Sequence, residues 1–307
     1  MSQRNNMSWN SAIQGFQSPV KLKNYLPGKK IQLPYAEWVT DNSSGMEVLH
    51  IREFKTLIQA VNKAKYADGC ASGDEKEHVT FFRGQARLYG MDFRPSVYRG
   101  INEKTSKQKI DQRIDENLNR LSASGGTCIR NLPLPVLEGV FQQYEQSSRW
   151  IDAVDNIWIA LWFACHDRWE EKGRVTYLRR IPSQERPQYR YAYILLLGIE
   201  KGFRDANGYW KDAKSECVDL RYAISSHFVR PHVQHGVLIR ALNKDGGVKR
   251  DMQSLVRGII RMDLDDALRW LGDSESLSVQ NLFPGPMFDT GFRDLISDGD
   301  KVGLAFR

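Results

Sequence analysis

The sequence is poor in cysteine. Cys70, Cys128, Cys165 and Cys217 are the only four in 307 residues, and none sits in a CxxC pair or beside histidine at metal-ligand spacing. This scatter argues against a zinc site and against a disulfide framework, and it suits a reducing compartment. Long apolar runs are also missing. The longest, Ile157 to Cys165, falls far short of the roughly 18 residues that span a bilayer, so no membrane partner is expected. The first 20 residues hold no continuous apolar stretch, which leaves a cytoplasmic protein without a secretory signal as the expectation. No G-x-x-x-x-G-K-[ST] loop, G-x-G-x-x-G turn, H-E-x-x-H pair or G-x-S-x-G elbow occurs.

What is present is core material and positive charge. Hydrophobic residues make up 41% and aromatics 11%, with eight tryptophans, which rules out disorder of the whole chain. The net charge of +7 favours an anionic partner: nucleic acid, a nucleotide or an acidic protein. Residues 1–45 are rich in Ser, Asn, Gln, Gly and Pro, and the first 40 carry a net of +4, so an irregular basic extension is expected there. Residues 46–307 then form a single domain.

Apolar spacing through Phe54, Leu57, Ile58, Val61 and Ala64 predicts a helix over 53–66. A short strand over 79–82 runs into Arg83-Gly84-Gln85, and an exposed helix covers 105–122. Two helices, 134–146 and 156–170, are expected to follow with a compact turn between them, the second apolar all round and buried. Strands are then expected over 175–178, 191–199, 217–224, 236–242 and 255–262, with a helix at 264–271 and a last segment near 287–297. Helices mostly first and strands mostly after read as α+β, with a largely antiparallel sheet and helices packed on it.

Three stretches carry a resemblance. Phe82-Arg83-Gly84-Gln85 is followed by Phe93-Arg94-Pro95-Ser96-Val97-Tyr98-Arg99. Gln142-Gln143-Tyr144-Glu145-Gln146-Ser147-Ser148-Arg149-Trp150-Ile151-Asp152 precedes Ala160-Leu161-Trp162-Phe163-Ala164. Arg230-Pro231-His232-Val233-Gln234-His235-Gly236-Val237 comes later, with Leu282-Phe283-Pro284 after it. In this order they resemble the blocks of the FRG family, named for its Phe-Arg-Gly signature, across about residues 79–300. The middle block departs from the family pattern: its His is Gln143, its Gly is Glu145 and its Pro is Ser147. The resemblance implies an ADP-ribosyltransferase-like fold with a split sheet, and NAD as the bound substrate without a metal.

It further implies transfer of ADP-ribose to a macromolecule, either nucleic acid (RNA or DNA) or protein. A toxin-like effector of bacterial anti-phage defence, held in check by a neutralising antitoxin protein, would follow. In that frame Arg83 clamps the diphosphate, because a planar guanidinium binds two oxygens at once; alternatively it pairs with a carboxylate such as Asp152 to fix a strand end. Arg99 is a rival clamp. Gly84 lets the ligand approach the backbone. Tyr144 stacks on nicotinamide with its hydroxyl oriented by Gln143, or else is a core tyrosine. Ser148, Arg149 and Asp152 form a pocket floor, with Asp152 as base or orienter of Arg83, or else a local cap with Arg149 paired to Asp152. Gln234 takes the late-strand position where active transferases carry Glu, and either Glu145 or Asp152 is a substitute carboxylate.

An amide in place of that Glu weakens stabilisation of the ribose cation, because charge-assisted hydrogen bonds are the stronger kind. A second class of function is therefore open: a non-catalytic module that binds a nucleotide or nucleic acid in the same cleft. The stretch Arg179-Arg180…Arg186…Tyr189-Arg190-Tyr191 interleaves basic and aromatic groups, either as a grip on single-stranded nucleic acid or as a solvated connection.

Overall fold

The computed structural model describes residues 33–66, 78–89, 93–99, 104–124, 126, 129–171, 174–186, 189–200 and 203–306. The expected extension over residues 1–32, together with Cys70 and Cys128, lies outside the described residues.

The chain opens with strands β1 (Ala36–Thr40) and β2 (Glu47–Ile51), then helix α1 (Phe54–Tyr66) and strand β3 (His78–Gln85). Helices α2 (Lys104–Ser124) and α3 (Leu134–Gln143) lead to β4 (Ile151–Val154), α4 (Ile157–Ala164) and the hairpin β5 (His166–Glu171) and β6 (Arg174–Arg179). The long β7 (Tyr191–Glu200) precedes β8 (Phe203–Ala206), β9 (Tyr209–Lys211) and β10 (Ser215–Asp219). Short helices α5 (Leu220–Ala223) and α6 (Val229–Val233) come before β11 (Gly236–Ala241) and β12 (Val256–Asp263). Helices α7 (Leu264–Leu271), α8 (Val279–Leu282) and α9 (Thr290–Val302) close the chain.

Ten strands make one sheet in the order β1-β2-β12-β7-β3-β4-β11-β10-β9-β8, with β5 and β6 as a separate hairpin. Every neighbour pair is antiparallel except β12 with β2. The fold is thus α+β on a large, mostly antiparallel sheet. Strand β7 is apolar on both sides because it lies mid-sheet, and most of its residues are buried. One core lies between α1, α4, α7 and one face of the sheet, around Phe82, Trp162 and Ile194. A second gathers α2, α3 and α9 over the β9–β11 end, and a third covers the opposite face around Phe81, Leu195 and Ile239. Among the described residues no helix is long and apolar enough to cross a membrane.

Five expectations need correction. The irregular extension does not reach residue 45, because Ala36–Thr40 is the edge strand paired with β2. Its turn is held by the Asp41 carboxylate, which accepts from Ser43 and Ser44 and takes the Tyr193 hydroxyl at 2.8 Å. The helix expected over 156–170 ends at Ala164, and His166–Glu171 turns back as a strand against β6. The two helices are separated by strand β4, not by a turn alone. The stretch 217–224 breaks at Asp219, whose side chain caps α5 by accepting from the Arg221 N–H. Helices also do not simply precede the strands, since α5 to α9 are interleaved with or follow the last ones.

Candidate functional site

Strands β3 and β4 meet at a single pair, Phe82 opposite Val154. Beyond it the sheet forks. Arg83 sits at the fork, and its Nη1 donates to the Asp152 carbonyl at 2.6 Å, satisfying a group the interrupted ladder leaves open. The Asp152 carboxylate lies 3.9 Å from the same guanidinium. Arg83 thus ties the strand ends, the second of the two roles expected of it, and it also lines the cleft that opens at the fork.

That cleft has a volume of about 780 Å³, within the range of small-molecule sites. Arg83 and Arg99 from the first block, Gln142 and Asp152 from the second, Gln234 from the third and Phe283 all border it. Stretches separated by up to 200 positions in sequence converge on one cavity. Its aromatic wall is built by Tyr177, stacked on Phe283 at 4.6 Å, with Phe163 edge-on to both.

Asp152 borders the cleft with 48% of its side-chain surface exposed. Burial raises its carboxyl above the ordinary carboxylate value, Arg83 and a hydrogen bond from Gln142 act against the rise, and the nearby Glu145 adds to it. Gln142 donates from Nε2 to Asp152 Oδ2 at 2.7 Å and accepts from the Ser148 hydroxyl, so Ser148 orients Asp152 through Gln142. Burial also pulls the Arg83 guanidinium below its usual value, with Asp152 opposing.

Glu145 lines the cleft with a backbone φ of 63°, the left-handed region that glycine favours. The α3 terminus explains it. The Gln146 N–H bonds the Phe141 carbonyl and the Glu145 N–H bonds the Gln142 carbonyl, the two bonds of a Schellman ending with Glu145 at the left-handed position. Its carboxylate takes Arg168 from β5 at 3.0 Å. The Tyr177 hydroxyl is raised by burial first, then by the charges of Glu145 and Asp152. One phenol thus reports both carboxylates in a single space.

No family model, curated protein or solved structure matches this chain.

Several expected site residues do not play the part expected of them. Tyr144 is fully buried, donates its hydroxyl to Asp289 at 2.7 Å and stacks on Phe292 at 4.8 Å, so it cannot face nicotinamide and Gln143 does not orient it. Arg149 does not pair with Asp152. It binds Glu138 and Asp115 away from the cleft, where buried Glu138 also holds Arg240 and Arg240 holds Glu216. Gly84 serves packing rather than ligand approach on its Cβ side, since a Cβ there would stand 1.8 Å from the Ala160 carbonyl of α4. Gln234 is not on a strand: it caps α6 and is followed by left-handed His235. Its amide is spent internally, accepting from Gln143 and donating to the Leu282 carbonyl at 2.6 Å.

Sequence reasoning overlooked Gln142, Arg168 and Tyr177. Gln142 stands inside the second block and carried a signal; Tyr177 and Arg168 come from a hairpin whose fold-back over the cleft has no local signature.

Proposed function

We propose that this cleft binds NAD and that the chain transfers ADP-ribose from it to a macromolecule. The observation that carries the reading is the pair of carboxylates, Glu145 and Asp152, facing one cavity whose floor is the arginine of the Phe-Arg-Gly block. Cleaving a glycosidic bond through a ribose cation calls for a negative group beside the sugar and a base for the attacking group. In this reading Arg83 and Arg99 hold the diphosphate, and the Tyr177–Phe283 face receives the nicotinamide in place of Tyr144. Glu145 stabilises the ribose cation in place of Gln234, exchanging its bond to the half-exposed Arg168, a weak tie. The C1′–N bond breaks with its electron pair going to nicotinamide, which leaves neutral. The acceptor's oxygen or nitrogen bonds to C1′ and its proton passes to Asp152. The ADP-ribosyltransferase-like fold belongs to the same proposal, supported by the forked sheet.

Labelled NAD incubated with the chain and a cell extract tests it, with Arg83→Ala and Glu145→Gln alongside. Label should enter a macromolecular fraction and vanish with Arg83→Ala, and Glu145→Gln should lower turnover by about 10²–10³-fold. Full activity in both variants, or neither label nor free nicotinamide from the wild type, would sink it. The second outcome would favour a binding module, the reading to which the closed Gln143–Gln234 pair already inclines.

A further inference from the structure

We infer that single-stranded nucleic acid is the macromolecule that lies across the mouth of this cleft. The inference deepens the reading above by naming the acceptor class, and it rests on that reading only for the transfer step.

Two patches on the cleft rim carry it. On one side Tyr89 is 46% exposed and lies between two arginines, with the guanidinium carbons of Arg87 and Arg99 each 5.0 Å from the ring centre. Neither arginine is ion-paired among the described residues; Arg87 is raised above its usual value first by a hydrogen bond with the Tyr89 side chain, and the charge of Asp167 adds less. On the other side, Trp169 of the β5–β6 hairpin is 54% exposed and borders the same cavity. Trp169 thus presents an exposed ring at the rim, on the two-stranded β5–β6 arm.

The chemistry selects among anionic partners. Every nucleobase has a π-face, so exposed aromatic rings bind unpaired bases whatever their sequence, while adjacent arginines take the phosphates. An acidic peptide would use Arg87 and Arg99 and leave Tyr89 and Trp169 wet. A duplex hides its base faces in the stack. Only a single strand uses both the rings and the cations, and it would lay a ribose or base over the opening above Asp152.

Fluorescence anisotropy with the full chain, without NAD, tests this on an end-labelled mixed-sequence RNA 12-mer, the same sequence as DNA, its duplex, and a polyglutamate peptide. At least one single strand should bind tenfold or more tighter than duplex or peptide, with affinity falling as salt rises. The RNA and DNA arms tell which strand is preferred. Tyr89→Ala and Trp169→Ala should each weaken binding by about 5- to 100-fold, and Arg87→Ser with Arg99→Ser should flatten the salt slope. Arg269→Ser, an exposed charge on α7, should change little. Circular dichroism should match wild type throughout, since these side chains are on the surface. No strand binding, equal binding of duplex or peptide, or full affinity in both aromatic variants would overturn the inference. Strand binding without any transfer of label would sink the transferase reading and leave this one standing; label on protein with no strand bound would do the reverse.

Discussion

Glu145 occupies a backbone position made for glycine. A side chain held in the left-handed region costs about 1–2 kcal/mol, and glycine there would add unfolded-state entropy worth about 0.4–1 kcal/mol. Glu145→Gly should therefore stabilise the chain by roughly 0.5–1 kcal/mol in urea unfolding while removing the cleft carboxylate. Gain of stability with loss of NAD turnover is the expected pairing; a loss of stability would show that the Arg168 contact outweighs the backbone term. The residue scale is also where the sequence was most informative and most misleading. Arg83, Asp152 and Glu145 were legible because the motif blocks name them. Tyr144, one residue before Glu145, carries no mark in the sequence that its ring turns inward to Asp289, and Arg149 gives no hint that its partner is Glu138, on the preceding helix.

At the scale of elements, the cleft depends on how closely α4 lies on β3. The helix Ile157–Ala164 is apolar on every side and its start is fixed by Asn156, which accepts from the Trp158 N–H at 2.8 Å. Gly84 lets the Ala160 carbonyl reach the strand. Gly84→Ala meets backbone rather than a movable side chain, so the loss should reach or exceed the upper end of the ~1–3 kcal/mol typical of overpacking. Chemical denaturation would reveal it, and a near-neutral result would mean α4 can slide. The buried helix, β3, β7 and α7 were all readable from periodicity. Strand β4 was not, because its four residues are too short for an alternating pattern and sit inside a polar motif. The β5 strand was missed because no glycine or proline separates it from α4.

For the whole molecule, pH acts through one buried and two half-buried imidazoles. Burial lowers His50, His166 and His235 below the ordinary histidine value of 6.5, helped by Arg261 at His50, Arg179 at His166 and Arg221 at His235. A lowered histidine favours folding fully above 6.5, and that contribution is lost as pH falls through the folded-state values. Thermal scans at pH 7.5 and 5.5 should show a lower Tm in acid, and His50→Gln should shrink the difference; a flat profile would contradict it. The α+β class and antiparallel sheet were legible in the composition of segments, but the strand order was not, because pairing β2 with β12 joins residues about 210 apart and no local pattern encodes that. The fork at Phe82 and Val154 has a kinetic consequence. On one side of it, β8 to β11 are successive neighbours, β8 to β10 joined by short turns and β11 following through α5 and α6; on the other, β2, β3, β7 and β12 come from across the chain. Loop closure is slow for distant partners, so the β8–β11 half should gain amide protection first in pulse-labelled hydrogen exchange. The cleft would then be the last part of the protein to exist, formed only when the far half of the sheet arrives and Arg83 reaches across.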